Sequence, residues 1–167
     1  MSRAVKELRD TGDADIAPRL EAAAQRAVHE SRQVIAALAS PAESLAAVVE
    51  RVASEVAARH GVEVDLDIAS GPRLDAARTE ALVRITGEAV ANAARHSGTT
   101  LVRVRLDWRG GKPRLQVTDR GVGFDPDLVA DLGGFGLTSM RERAVAAGAQ
   151  LRLETTPGLG TMLEVAF

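Results

Sequence analysis

Two alternating runs that flank a pair of glycines constrain this chain most. In residues 101–108, Leu101, Arg103 and Arg105 alternate with Val102, Val104 and Leu106; Arg109-Gly110-Gly111-Lys112 follows, and residues 114–118 return. A period of two marks a half-buried strand. A Gly-Gly pair between two such runs marks a tight hairpin. A lone hairpin is marginal in water, so its apolar face needs further strands and a cover. Both are at hand. Val62, Val64, Leu66 and Ile68 alternate with Glu63, Asp65 and Asp67, and residues 151–155 and 161–167 flank the turn Pro157-Gly158-Leu159-Gly160. Helical patterns lie between these runs. The order predicts an α+β fold: a two-layer α/β sandwich whose mixed, mainly antiparallel sheet is covered by helices on one face, preceded by an N-terminal helix.

The helical patterns have readable ends. Residues 1–15 form a loose polar start. Residues 16–39 carry Leu20, Ala24, Ala27, Val28, Ile35 and Leu38 at helical spacing, and Ser40-Pro41 ends that run. A boundary there divides the chain into 1–40 and 41–167. Ser40, Pro41 and Glu43 then read as the N-cap, first-turn proline and third-position acid of the next helix. It carries Leu45, Val48, Val49, Val52 and Val56 and stops at His60-Gly61. Asp75 caps a central helix that Ser97-Gly98 closes. A last helix over 137–147 turns Met140, Ala144 and Val145 inward and ends at Gly148.

Composition removes several function classes. The 167 residues include no cysteine, which excludes disulfides, thiolate metal sites and cysteine nucleophiles. Aromatics are 2%, too few for base-stacking platforms. A net charge of −2 and a pI near 5.9 give no basic footprint for nucleic acid. No apolar run is long enough to span a bilayer and no signal peptide opens the chain, so we expect a cytoplasmic segment whose parent protein can still be membrane-anchored.

The central helix holds the chemistry. Glu88, Asn92 and His96 stand at i, i+4 and i+8 and share one face. This polar file borders the core stripe Leu82, Ile85, Ala89 and Ala93, where a purely structural helix would place small apolar residues. Something polar is expected against it. Further on, Asp119-Arg120-Gly121-Val122-Gly123-Phe124 and Gly133-Gly134-Phe135-Gly136-Leu137 leave a strand and enter a helix. Glycines let backbone N–H groups cradle an anion, and a helix N-terminus adds its dipole. Two glycine pairs with an Asp at the strand end favour a phosphate or nucleotide over a plain surface loop. No Gly-Lys-Ser/Thr follows, so this is not a Walker loop, and no strand–GxGxxG–helix unit is present.

Taken together, these stretches resemble the GHKL ATPase superfamily over roughly residues 42–167. Glu88-x-x-x-Asn92-x-x-Arg95-His96 is similar to its N box. Asp119-x-Gly121-x-Gly123 is similar to the first glycine box, Gly134-x-Gly136-Leu137 to the second, and Gly158-Leu159-Gly160-Thr161 to the final Gly-Thr element. The N box, a short lid and Gly-Leu-x-x-Met-Arg-Glu-Arg-Ala from Gly136 to Ala144 resemble sensor histidine kinases of the nitrate-sensor and desaturase-sensor type. The resemblance implies ATP and Mg²⁺ as cofactors. It implies that Asn92 holds the metal, that Asp119 accepts the adenine amino proton with Thr161 and Gly123 nearby, and that Arg95 and His96 face the phosphates. Glu88 becomes the acid/base group beside the γ-phosphate. Gly121, Gly134, Gly136 and Leu137 complete the cradle, and residues 125–133 become an acidic ATP lid. Taken singly, Glu88 also reads as a solvated helix acid, Arg95 as half of a surface ion pair, Asp119 as a turn former and His96 as a charge complementing the helix dipole.

In the resembled kinases a dimerising hairpin that carries the phosphoacceptor histidine precedes the ATPase domain. Residues 27–38 look like its second helix. Glu7-Leu8-Arg9-Asp10 has arginine where that histidine would stand, and His29 reads as part of a solvated helix face. The expectation is a catalytic domain that passes the γ-phosphoryl group to a histidine outside this segment. Its partners would be the phosphoacceptor helix, a response regulator and a second copy paired through the N-terminal helix. The alternative is a GHKL nucleotide-binding protein of the anti-sigma serine-kinase type, or a nucleotide-dependent interaction module.

Overall fold

The computed structural model describes residues 43–125 and 135–167. These fall within the second of the two units, Met1–Ser40 and Pro41–Phe167, into which the chain divides. The expected N-terminal helix, His29, most of the lid and Gly134 therefore lie outside the described residues.

Helix α1 spans Leu45–His60, α2 Ala76–His96 and α3 Phe135–Ala146; the strands are β1 Glu63–Ile68, β2 Leu101–Arg109, β3 Lys112–Asp119, β4 Gln150–Thr156 and β5 Gly160–Ala166. The strand order is β1-β2-β3-β5-β4. β1 pairs with β2 in parallel, which the α2 crossover between them permits, and the other three pairings are antiparallel. The β2–β3 turn falls on Gly110 and Gly111, at φ of 57° and 78°. That left-handed pair matches the twist of the flanking strands.

One face of the sheet is apolar and meets the helices. Val102, Val104, Leu106, Leu115, Val117, Leu163 and Val165 are buried there, with Val48, Val49, Val52 and Val56 of α1, Leu82, Ile85, Ala89 and Ala93 of α2, and Met140 and Ala144 of α3. The other face is charged and cross-linked. Arg103 meets Asp65 at 2.7 Å, Arg114 meets Asp107 at 2.6 Å, and Gln116 donates to Glu164 at 2.6 Å. This is the expected two-layer, mainly antiparallel architecture.

Two local expectations need correction. The N-cap of α1 is Ser44, whose hydroxyl accepts the Ala47 N–H at 3.2 Å, and not Ser40. The helix begins where the first buried side chains, Ala46 and Val48, meet the core. Val145 does not face inward but is 72% exposed. The buried stripe of α3 is narrow, and Val145 stands one residue, about 100°, around the helix from Ala144. The Asp75 cap holds, with its carboxylate accepting the Arg78 N–H at 2.8 Å. Gly61, at φ 69°, ends α1 as expected.

Candidate functional site

The polar file on α2 is a bonded cluster. The Arg95 guanidinium donates to Asn92 Oδ1 at 3.1 Å, lies 3.5 Å from Glu88 Oε1, and sends its Nε–H to the Ala91 carbonyl. The Glu88 and Arg95 side chains are 24% and 34% exposed, so the cluster sits at the rim of the core within reach of a ligand. His96, the last residue of α2, is exposed and joins none of these bonds.

The second glycine box arrives at this cluster. A Cβ added to Gly136 would lie 2.7 Å from Glu88 Oε1 and 3.3 Å from Asn92 Nδ2. Glycine lets the first turn of α3 approach this closely without displacing the Glu88 carboxylate. The approach brings the N-terminal N–H groups of α3, with the positive end of its dipole, beside Glu88 and Asn92. Leu137 follows in the same turn, half-buried.

The first glycine box docks on the C-terminal end of α2. Ser97 caps the helix, its hydroxyl donating to the Ala93 carbonyl at 2.6 Å, and its own carbonyl accepts the Val122 N–H at 2.7 Å. Gly121 packs directly on the Ser97 backbone, leaving no room for a Cβ. Gly123 turns at φ 57° against the Thr156 carbonyl, and the Gly158 N–H donates to the Val122 carbonyl at 2.6 Å. The loop is thus pinned between α2 and the β4–β5 turn.

Asp119 ends β3 with 6% of its surface exposed, and its Oδ1 accepts the Gly121 N–H at 2.9 Å. Burial pushes its carboxyl above the ordinary carboxylate range, while the N–H groups of Gly121 and Thr161 pull it back. A carboxylate kept in so dry a place is a strong acceptor for a donor that excludes water. Thr161 is its register partner on β5. Thr155, which sequence reasoning passed over, lies 3.2 Å from the Thr161 hydroxyl and accepts the Phe124 N–H at 3.0 Å. Its only sequence signal is a polar residue two places before a Pro-Gly turn. Ser97, read only as a helix stop, is also an anchor for the loop.

These residues fit a hydrated metal carried on phosphates. Among the described residues no three His, Cys, Asp or Glu side chains form a metal cage. Mg²⁺ keeps several waters and needs few protein oxygens, and Asn92 offers one, Oδ1, which a metal would take over from the Arg95 guanidinium that it accepts from at 3.1 Å.

A sequence profile described as histidine kinase-, DNA gyrase B- and HSP90-like ATPase matches residues 77–167. The chain belongs to this ATPase family. It is an ATP-binding domain, and its N box, first glycine box and Gly-Thr element all fall within the matched residues of the ATPase profile. The sensor protein VraS of Staphylococcus aureus is 40% identical over 84 residues, covering 50% of this chain and 24% of VraS. VraS of Staphylococcus saprophyticus matches with the same identity and coverage. This ATPase-family chain therefore spans 24% of the length of those curated relatives. Among solved structures, the histidine kinase domain from the Erythrobacter litoralis EL346 blue-light activated histidine kinase is similar at a TM-score of 0.69 and 22% identity, covering 86% of this chain and 73% of that one. Acinetobacter baumannii histidine kinase AdeS is similar at 0.64 and 17%, covering 92% and 82%. Both share the fold. No described helix is long and apolar enough to cross a membrane.

Proposed function

We propose that this chain is the catalytic ATP-binding domain of a two-component sensor histidine kinase, acting in the cytoplasm. It takes the γ-phosphoryl group of ATP to a histidine outside this segment, and a response regulator receives the group next. The observation that carries the reading is the approach of Gly136 to Glu88 and Asn92, which puts a helix N-terminus, an acid and a side-chain amide at one place.

Each residue has a task there. Asp119 accepts the adenine amino proton, with Thr161 and Gly123 beside it. Arg95, and His96 if it turns inward, neutralise phosphate charge, which is most of what phosphoryl transfer asks of a protein. Asn92 would hold Mg²⁺, whose charge offsets that of the phosphates. Glu88 orients the attacking imidazole and takes its proton as the nitrogen–phosphorus bond forms and ADP leaves. Residues 1–40 supply the end of the dimerisation and phosphoacceptor hairpin, and a second copy pairs through them.

The test uses the purified chain with Mg²⁺, γ-labelled ATP and a histidine-bearing hairpin from a related sensor kinase. We expect acid-labile, base-stable label on the hairpin, abolished by Glu88→Gln while ADP binding persists. Acid-stable label on serine or threonine would replace this reading with the serine-kinase one. No ADP binding at all would end both.

A further inference from the structure

Asp119, Thr161 and Thr155 form one row across three neighbouring strands. Asp119 pairs with Thr161 between β3 and β5, and Thr161 pairs with Thr155 between β5 and β4. Register partners on antiparallel strands project to the same face, here the face on which Asp119 is buried. The row continues past its last strand. The Thr155 hydroxyl accepts the Phe124 N–H at 3.0 Å and lies 3.3 Å from the carbonyls of both Phe124 and Gly160 and 3.2 Å from the Thr161 hydroxyl. Phe124 directly follows the first glycine box, and Gly160 directly precedes Thr161. A hydroxyl offers one proton and two lone pairs. One lone pair is taken by Phe124, so the rest is shared among two carbonyls and Thr161. One side-chain oxygen joins the glycine loop, the β4–β5 turn and a residue of the Gly-Thr element.

We infer that Thr155 is a positioning residue for the base-recognising end of the nucleotide site. It holds the Thr161 hydroxyl and the backbone of the first glycine box at a fixed setting around Asp119. The inference rests on the ATP-binding reading and adds a residue that does not itself touch the nucleotide. Without its hydroxyl, the Phe124 N–H loses its acceptor and the Thr161 hydroxyl turns freely. The loss falls on recognition of the adenine amino group. It spares the Glu88, Asn92 and Arg95 cluster, whose bonds include none to Thr155.

The experiment measures ADP and GDP binding by calorimetry for wild type, Thr155→Val and Thr155→Ser, with unfolding midpoints for each. Wild type is expected to prefer ADP. Thr155→Val should bind ADP about 5–30-fold more weakly, the worth of roughly one bonded joint, while GDP binding stays within about twofold, so the preference shrinks. Thr155→Ser should restore it. If the valine variant does not fold, Thr155→Ala takes its place with the same expectations. Unchanged ADP affinity, equal loss for both nucleotides, or a serine variant as weak as the valine one would overturn the inference and leave ATP binding standing. A wild type that binds no ADP would overturn the ATP-binding reading, and this inference with it.

Discussion

Replacing Asp119 by asparagine separates function from stability. The Asp119 carboxyl is raised by burial, with the N–H groups of Gly121 and Thr161 opposing. A carboxyl whose folded pKa lies above its unfolded value contributes stability that is complete below about pH 4 and lost as pH rises through the folded value. At pH 7 the ionised Asp119 is therefore a net cost to the ligand-free fold. Asparagine is neutral and keeps an oxygen for the Gly121 N–H, which Asp119 Oδ1 now accepts at 2.9 Å. Its amide nitrogen then faces the ligand, a donor set against the donor amino group of adenine. A hydrogen bond to a charged group is worth about 1.5–3 kcal/mol, so ADP affinity should fall roughly 10–150-fold. With ADP at about 100 times the wild-type Kd, binding stabilises wild type by about 2.7 kcal/mol; a 100-fold weaker variant gains about 0.4 kcal/mol. At roughly 3–5 °C per kcal/mol for a unit of this size, the ADP-induced rise in Tm shrinks from about 10 °C to about 2 °C. Ligand-free Asp119→Asn should melt at or above the wild-type Tm at pH 7, with the advantage vanishing below about pH 4. Thermal melts with and without Mg-ADP at both pH values test this. A full ADP shift in the variant would refute the role of Asp119 in base recognition. A lower ligand-free Tm at pH 7 would refute the burial argument.

Gly136→Ala would push its Cβ to 2.7 Å from Glu88 Oε1; the flexible carboxylate can yield, so we expect under about 1 kcal/mol of lost stability but at least a tenfold fall in phosphotransfer, read by single-turnover labelling. Gly87→Ala meets only Val52 at 3.4 Å and Val56 at 4.0 Å, ordinary contacts, so helix propensity should raise stability by about 0.5–1 kcal/mol in a urea melt. The Arg114 hydrogen bond, helped by the charges of Arg114, Arg105 and Arg109, holds Asp107 below its ordinary range against the cost of burial. Its stabilisation is present above about pH 4 and lost as pH falls through the lowered value, so Arg114→Gln should reduce stability at pH 7 and bring less further loss on acidification, followed by urea melts from pH 7 to pH 2.

The boxes could be read from the sequence because each is local. Glu88, Asn92 and Arg95 share a face through helical period alone, and Asp119-x-Gly121-x-Gly123 is one turn of chain. The hairpins could be read because the Gly110-Gly111 turn and the alternating side chains specify them within a few residues. The α1 cap was misplaced because Ser40, Pro41 and Glu43 match a capping pattern locally, whereas the helix starts at Leu45 with the Ser44 hydroxyl on the Ala47 N–H. Val145 was misjudged because apolar character gives no angle; the narrow contact of α3 left it in water.

Sequence alone determined the helices and strands among the described residues, the sheet with its covered face, and the short motifs on which the proposed nucleotide site rests. These follow from period, turn chemistry and short motifs, which act over a handful of neighbouring residues. Tertiary structure decided what depends on residues distant in the chain. It set the parallel pairing of β1 with β2, the approach of Gly136 to Glu88 and Asn92, and the docking of the first glycine box on Ser97. Thr155 is the clearest case. Its neighbours in sequence say nothing of Phe124, and only the pairing of β4 with β5, stacked beside β3, brings one hydroxyl within hydrogen-bonding distance of both loops.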